Sequence, residues 1–383
     1  MSGLCKKILP LLALVLAILL CACDTAPADP TDGTTTSPTT EATTEPTTEP
    51  TTEPTTEPET EPTTEPPVVF NQRDYLTMLE GISVSTWTLE DETVYIRTED
   101  FLATAGIEAD ELPETETVMD SDGLEYLPLY PVVEALGYPV WEDVDFSTTY
   151  ITPSAAPFEI PANVQVPVLM YHAVGDDLWG SDELFVSTTD MEAQLQYLVE
   201  NGYDPIWFSD LKDIEQYDKP VILTFDDGYD DNYTILLPLL QKYNVKVTVF
   251  VLAGLLDQPH KMSWGQVKEM SQSGLVSIQS HGMYHPKMAD LSEEELIFEM
   301  GDSKNSITRM SGKIPYVFCY PSGSYSDLSL EVTARYYDFG LKMNGNMYCT
   351  GDNPYLVNRY YVSRYTSLST FISFIAGAGV PAG

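Results

Sequence analysis

Between Val166 and about Phe374 the apolar positions follow two alternating rhythms. Short, nearly unbroken apolar runs (VPVLMYH, KPVILTFDD, VKVTVFVL, LVSIQSH, YVFCYPSG) read as buried strands, because a strand covered on both faces needs no polar alternation. Between them apolar residues recur every three or four positions. That spacing predicts helices over TTDMEAQLQYLVENG, over the stretch ending at Tyr243, from Ser263 to Ser273, and from Ser292 to about Gly312. A capping box from Thr189 to Glu192, Ser292 with Glu295, and Gly202, Gly274 and Gly312 past helix ends punctuate the pattern. Strand and helix alternating over more than 200 residues demand a parallel sheet, and favour a distorted (β/α)7-8 barrel over a small open sheet.

Residues 68–157 read differently. ETVYIRTEDFL and STTYITP are β-rich, while Leu129, Val132, Val133 and Leu136 recur at helical spacing with Gly137 at a C-cap position. A small α+β accessory domain follows, which sets the barrel domain at 158–383. Tyr126-Leu127-Pro128-Leu129, Glu134-Ala135-Leu136-Gly137-Tyr138 and Trp141-Glu142 resemble the stalk domain named for the N-terminal region of copper amine oxidases. The resemblance implies a surface-displayed module and no copper site, since the segment contains no His.

Ahead of it, residues 1–22 place Lys6 and Lys7 before an apolar run from Ile8 to Leu20, too short for a comfortable membrane span, so they read as an export signal. Leu20-Cys21-Ala22-Cys23 resembles a bacterial lipobox, which implies a lipid anchor on Cys23 and a place on the extracellular face of the cell membrane. Residues 23–67 collapse to Thr, Glu and Pro, with TTEP recurring from Thr43 to Pro66. So little apolar surface cannot offset chain entropy, and a disordered stalk is expected. The whole chain has 59 acidic against 18 basic residues, a net charge of −41. Such a field excludes nucleic acid and anionic polymers as partners and leaves neutral glycans compatible. Cys319 and Cys349 are the two cysteines in the folded part, and their spacing does not settle whether they pair.

The chemistry gathers where the predicted strands end. His172 closes the first, Asp226 and Asp227 the second, His281 the fourth with His285 four residues on, and Pro321-Ser322-Gly323 the fifth. Active groups of a (β/α) barrel collect at that rim. Two adjacent carboxylates repel unless a cation neutralises one of them. Neighbouring strand residues diverge, so one Asp can bind a metal while the other stays beside it as a base. With His281 and His285, one carboxylate makes a three-ligand site that keeps positions open for water and substrate. Asp230 and Asp231 suit the N-terminus of the next helix as caps. Trp179, Trp207 and Trp264 are candidates for stacking on sugar rings, with core or rim packing as the plainer reading.

Thr224-Phe225-Asp226-Asp227-Gly228 and Ser280-His281-Gly282-Met283-Tyr284-His285-Pro286 resemble the first two motifs of the polysaccharide deacetylases, carbohydrate esterase family 4 with the NodB-homology fold. The resemblance implies Asp226 as general base and Asp227, His281 and His285 as ligands of a divalent metal, zinc first with Co2+ or Ni2+ as alternatives. The third motif departs from the usual pattern: Phe318-Cys319-Tyr320-Pro321-Ser322-Gly323 lacks its Arg, and no His follows His285. Val168-Leu169-Met170-Tyr171-His172 is similar to the subgroup acting on poly-N-acetylglucosamine, in which an early strand-end His is the general acid, here His172. Ser322, Tyr320 and Pro321 then fall at the oxyanion and substrate position. Arg359 or Arg364 are the substitutes for the missing Arg. The implied activity is removal of N-acetyl groups from an N-acetylglucosamine polysaccharide outside the cell. An O-acetyl esterase of the acetyl-xylan kind and a glycan-binding protein without catalysis are the alternatives.

Overall fold

A computed structural model describes residues 68–379. The expected signal, the anchor at Cys23 and the stalk lie outside the described residues. No described helix is long and apolar enough to cross a membrane.

Seven parallel strands form the ring of the large domain: β1 (Val168–Tyr171), β2 (Pro220–Phe225), β3 (Val247–Val251), β4 (Val276–Ser280), β5 (Val317–Cys319), β6 (Phe339–Leu341) and β7 (Tyr360–Tyr361). Their order is β6-β5-β4-β3-β2-β1-β7, with a two-residue strand, Asp204–Pro205, paired to the start of β2. One parallel bridge, Leu341 to Val357, links the two ends of the curled sheet. This is the distorted (β/α) barrel the sequence predicts. Every residue of β2 and β3 is buried, which is why their sequences show no polar alternation. Val221, Leu223 and Phe225 pack under the helices with Leu169, Val247 and Ile278, whereas Ile222, Phe250, Val317, Cys319 and Leu341 fill the barrel interior.

Several local expectations are corrected. The helix Thr188–Glu200 starts one residue before Thr189, capped by Ser187, whose hydroxyl accepts the Asp190 N–H; adjacent Ser and Thr offered competing caps. The run TEDFL is helical, because the strand Val94–Arg97 passes directly into the helix Thr98–Ala105. The helix opened by Ser292 includes a π-helical turn, Phe298–Asp302, before it continues as Ser303–Ser311 to Gly312. A second π-helical turn, Asn232–Leu236, leads into Leu237–Tyr243.

Residues 68–157 build a five-stranded and a four-stranded sheet around Leu79, Ile96, Phe101, Leu127, Leu129 and Val132. They pack against the end of the barrel where strands begin. Thr152 Oγ1 accepts from Ile314 N at 2.9 Å, and Gly81 O accepts from Gln272 Nε2 at 3.4 Å. A Cβ on Gly312 would lie 2.8 Å from Gly81 Cα, so glycine is required where the two segments touch.

Candidate active site

Strand parity explains why the two neighbouring aspartates diverge. Ile222 faces the barrel interior, Thr224 and Asp226 continue that inward set, and Asp226 is 2% exposed. There Arg359, itself buried, donates from Nη1 to Oδ1 at 2.7 Å and from Nη2 to Oδ2 at 2.8 Å, a bidentate fork. Burial opposes ionisation of Asp226, but Arg359 outweighs it and holds the carboxyl well below the usual carboxylate range. Arg359 also donates to Thr224 Oγ1 at 3.0 Å and to Cys319 Sγ at 3.0 Å. Arg364 makes no such contact among the described residues.

Asp227 leaves the strand with φ +74°, a left-handed conformation that is strained for a non-glycine residue and turns its carboxylate to the rim. Its Oδ1 lies 3.6 Å from His281 Nε2 and 3.8 Å from His285 Nε2. His281 Nδ1 is 2.7 Å from Cys319 O; a carbonyl only accepts, so Nδ1 carries the proton and Nε2 presents its lone pair to the rim. Burial pushes the His281 imidazole down to about 4, which keeps it neutral. Burial also works against the charge of Asp227, yet its pKa is lowered, and the Lys261 ammonium is the nearby cation that favours the carboxylate. One ligand atom from each of Asp227, His281 and His285 falls within 4.8 Å of the others.

These residues fit a divalent ion: two imidazole nitrogens and one carboxylate converge, and a backbone carbonyl fixes the tautomer of the buried imidazole. Asp226, His281 and Cys319 are also mutually close, but that trio does not fit. Arg359 already neutralises Asp226, and burial raises the Cys319 thiol far above its ordinary value, so no thiolate forms.

The loop between the two histidines is tied down by Glu299 in the π-helical turn Phe298–Asp302. Its Oε2 accepts from Met283 N at 2.7 Å and Tyr284 N at 3.1 Å, and a Cβ on Gly282 would meet that oxygen at 2.9 Å. His172 follows β1, with the Tyr361 ring edge-on at 5.7 Å. Burial lowers its pKa against the opposing pull of Asp226 and Asp227.

Other expected residues stand elsewhere. Ser322 is exposed, with φ +55°, in the turn Pro321–Gly323. The Tyr320 side chain is not in the site: its hydroxyl hydrogen-bonds Thr333 Oγ1 at 3.1 Å inside the core. Asp231 does not cap the following helix; its Oδ1 accepts from Val174 N at 3.0 Å instead. Trp207 donates to Val247 O at the far end of the barrel, Trp264 packs against the core, and Trp179 stacks on His260 at 4.5 Å. Cys319 and Cys349 are both free. Cys319, Glu299 and Lys261, whose Nζ donates to Asp227 O at 2.9 Å, carried no signal in the sequence.

The family model for polysaccharide deacetylases matches residues 213–338, a range that includes Asp226, Asp227, His281 and His285 but neither His172 nor Arg359. YxkH of Bacillus subtilis strain 168, a protein named as a polysaccharide deacetylase, is 30% identical over 217 residues, covering 55% of this chain and 76% of that protein. The chain belongs to the polysaccharide deacetylase family. The poly-beta-1,6-N-acetyl-D-glucosamine N-deacetylase of Escherichia coli K12 is 30% identical over 134 residues, 30% of this chain and 20% of that enzyme. Among solved structures, BC0361, a polysaccharide deacetylase from Bacillus cereus, superposes with a TM-score of 0.53 at 25% identity, covering 77% of this chain and 85% of that one. The deacetylase PplD of Streptococcus pyogenes, in complex with acetate, has a TM-score of 0.53 at 28% identity and covers 56% of this chain and 99% of that one.

Proposed function

We propose that the protein is a metal-dependent hydrolase that removes N-acetyl groups from an N-acetylglucosamine-containing polysaccharide outside the cell. The observation that carries this reading is the pairing of Asp227, His281 and His285 around one point with a spare carboxylate, Asp226, locked beside them by Arg359. Arg359 supplies the guanidinium whose absence from the third motif favoured a binding protein without catalysis. The names of the E. coli relative and of the peptidoglycan-N-acetylmuramic acid deacetylase PdaA of B. subtilis, 30% identical over 149 residues and matched over 52% of its length, support an N-acetylated glycan.

Asp226 takes the proton from the water that adds to the acetamide carbonyl. A base held this low in pKa deprotonates only an acidified water, and that acidity, with polarisation of the carbonyl, is the chemistry a divalent ion on Asp227, His281 and His285 supplies when bound. The Ser322 N–H donates to the carbonyl oxygen as it gains charge. His172 passes a proton to the departing sugar nitrogen. A lipid on Cys23 and a Thr/Glu/Pro stalk would hold the barrel at the outer face of the membrane, where such glycans lie.

The test is acetate release from N-acetylated glucosamine oligomers and from acetylated xylan, with and without chelator. Release from the first only, abolished by chelator and restored by zinc, is expected. Release from xylan alone would make the protein an O-acetyl esterase, and release undiminished by chelator would overturn the metal requirement.

A further inference from the structure

An imidazole that delivers a proton is ordinarily aimed by a hydrogen bond to its second ring nitrogen. His172 lacks that aid: among the described residues its buried Nδ1 has no partner. Its backbone, by contrast, is pinned three times by the segment that follows β2. Asp226 N donates to Tyr171 O at 2.9 Å, Asn232 Nδ2 donates to His172 O at 3.0 Å, and Asp231 Oδ1 accepts from Val174 N at 3.0 Å. Asn232 Nδ2 also lies 2.9 Å from Asp231 Oδ1, so the last two pins are one unit. Asn232 is fully buried and Asp231 is 6% exposed. Asn232 opens a π-helical turn, a feature that recurs at functional sites because it re-aims a side chain.

We propose that the Asp231–Asn232 pair positions His172 for proton transfer, by fixing the backbone that bears it to the same segment that carries Asp226 and Asp227. Two observations point away from a merely structural role. Asp231 sits at the helix N-cap without capping it, and burial pushes its carboxyl up to about 7, a cost that a simple surface turn would not bear. The consequence is geometric: proton donor and base keep a fixed separation because one short segment holds both.

The inference rests on His172 as proton donor, and a double-mutant cycle separates the two ideas. In the full chain loaded with zinc, Asn232→Ala should lower kcat about 10- to 100-fold, the scale of an ångström-sized misplacement, with KM and bound zinc unchanged. In a His172→Ala background it should have no further effect. Asp231→Ala, read in the same way, replaces Asn232→Ala if the latter does not fold, and Asp231→Asn, which keeps an acceptor for Val174, should recover most of the loss. Equal losses from Asn232→Ala with and without His172, or a loss of zinc or a rise in KM instead of a fall in kcat, would overturn the positioning role. If His172→Ala is itself fully active, the reading of His172 fails; if His172→Ala is impaired and Asn232→Ala is not, only the present inference fails.

Discussion

At the end of the barrel where strands begin, Arg309 Nη2 lies 3.2 Å from Asp143 Oδ1, Lys313 Nζ 3.0 Å from Glu80 Oε1 and Lys246 Nζ 2.9 Å from Asp210 Oδ2. At the end where strands finish, the Asp227 carboxylate faces two imidazoles, and no Lys or Arg side chain bonds it among the described residues. Acidic groups at the first end are answered by the protein's own cations, and the Arg309–Asp143 and Lys313–Glu80 pairs join the accessory segment to the barrel. The site end differs within two residues: Asp226 is answered by a direct ion pair with Arg359, whereas the Asp227 carboxylate has Lys261 nearby but, among the described residues, no cation bonded to it. A nearly buried carboxylate with no cation bonded to it is costly. Its retention beside two imidazoles fits a site for a divalent ion.

The contrast can be broken at each end. The largest effect is expected from Arg359→Gln, which leaves Asp226 buried and unpaired; a loss of about 3–5 kcal/mol in stability, read by denaturant unfolding, is the usual scale. The same variant should shift activity with pH in a set direction. Arg359 keeps Asp226 ionised, so its removal raises that pKa and moves the acid limb of the pH–rate profile to higher pH. Unchanged stability and an unmoved acid limb would show that the fork is dispensable. Next comes Glu299→Ala, which frees the backbone between His281 and His285, the proposed ligands; metal affinity should weaken about 10- to 100-fold in a chelator competition, with turnover recovered at saturating ion. The smallest effect belongs to the far end, where Lys313→Ala, which removes the partner of the partly exposed Glu80, should cost about 1 kcal/mol and leave zinc content and acetate release as they were. A loss of zinc there would mean that the two ends are coupled.

Much of this was legible because it is periodic. Fully buried strands such as Pro220–Phe225 and Val247–Val251 announce themselves as unbroken apolar runs, and the side chains that follow them must land on one rim. Asp226, Asp227, His281 and His285 were readable for that reason. Arg359 was not, because it approaches Asp226 from 133 residues away through the last strand of the ring, and nothing local in NRYYV distinguishes it from Arg364. Asp231 was misread for a different cause. Acidic residues before a helix usually cap it, and only the tertiary structure brings the Val174 N–H within reach of this one. The helix at Thr98 was hidden because strand and helix join without a Gly or Pro between them.

Metal content and turnover measured together on two variants test the division of labour between the adjacent aspartates. Asp226→Asn should retain a full equivalent of bound zinc and release no acetate, whereas His281→Ala should lose the ion and with it the activity. Zinc lost from Asp226→Asn but kept by His281→Ala would contradict the account.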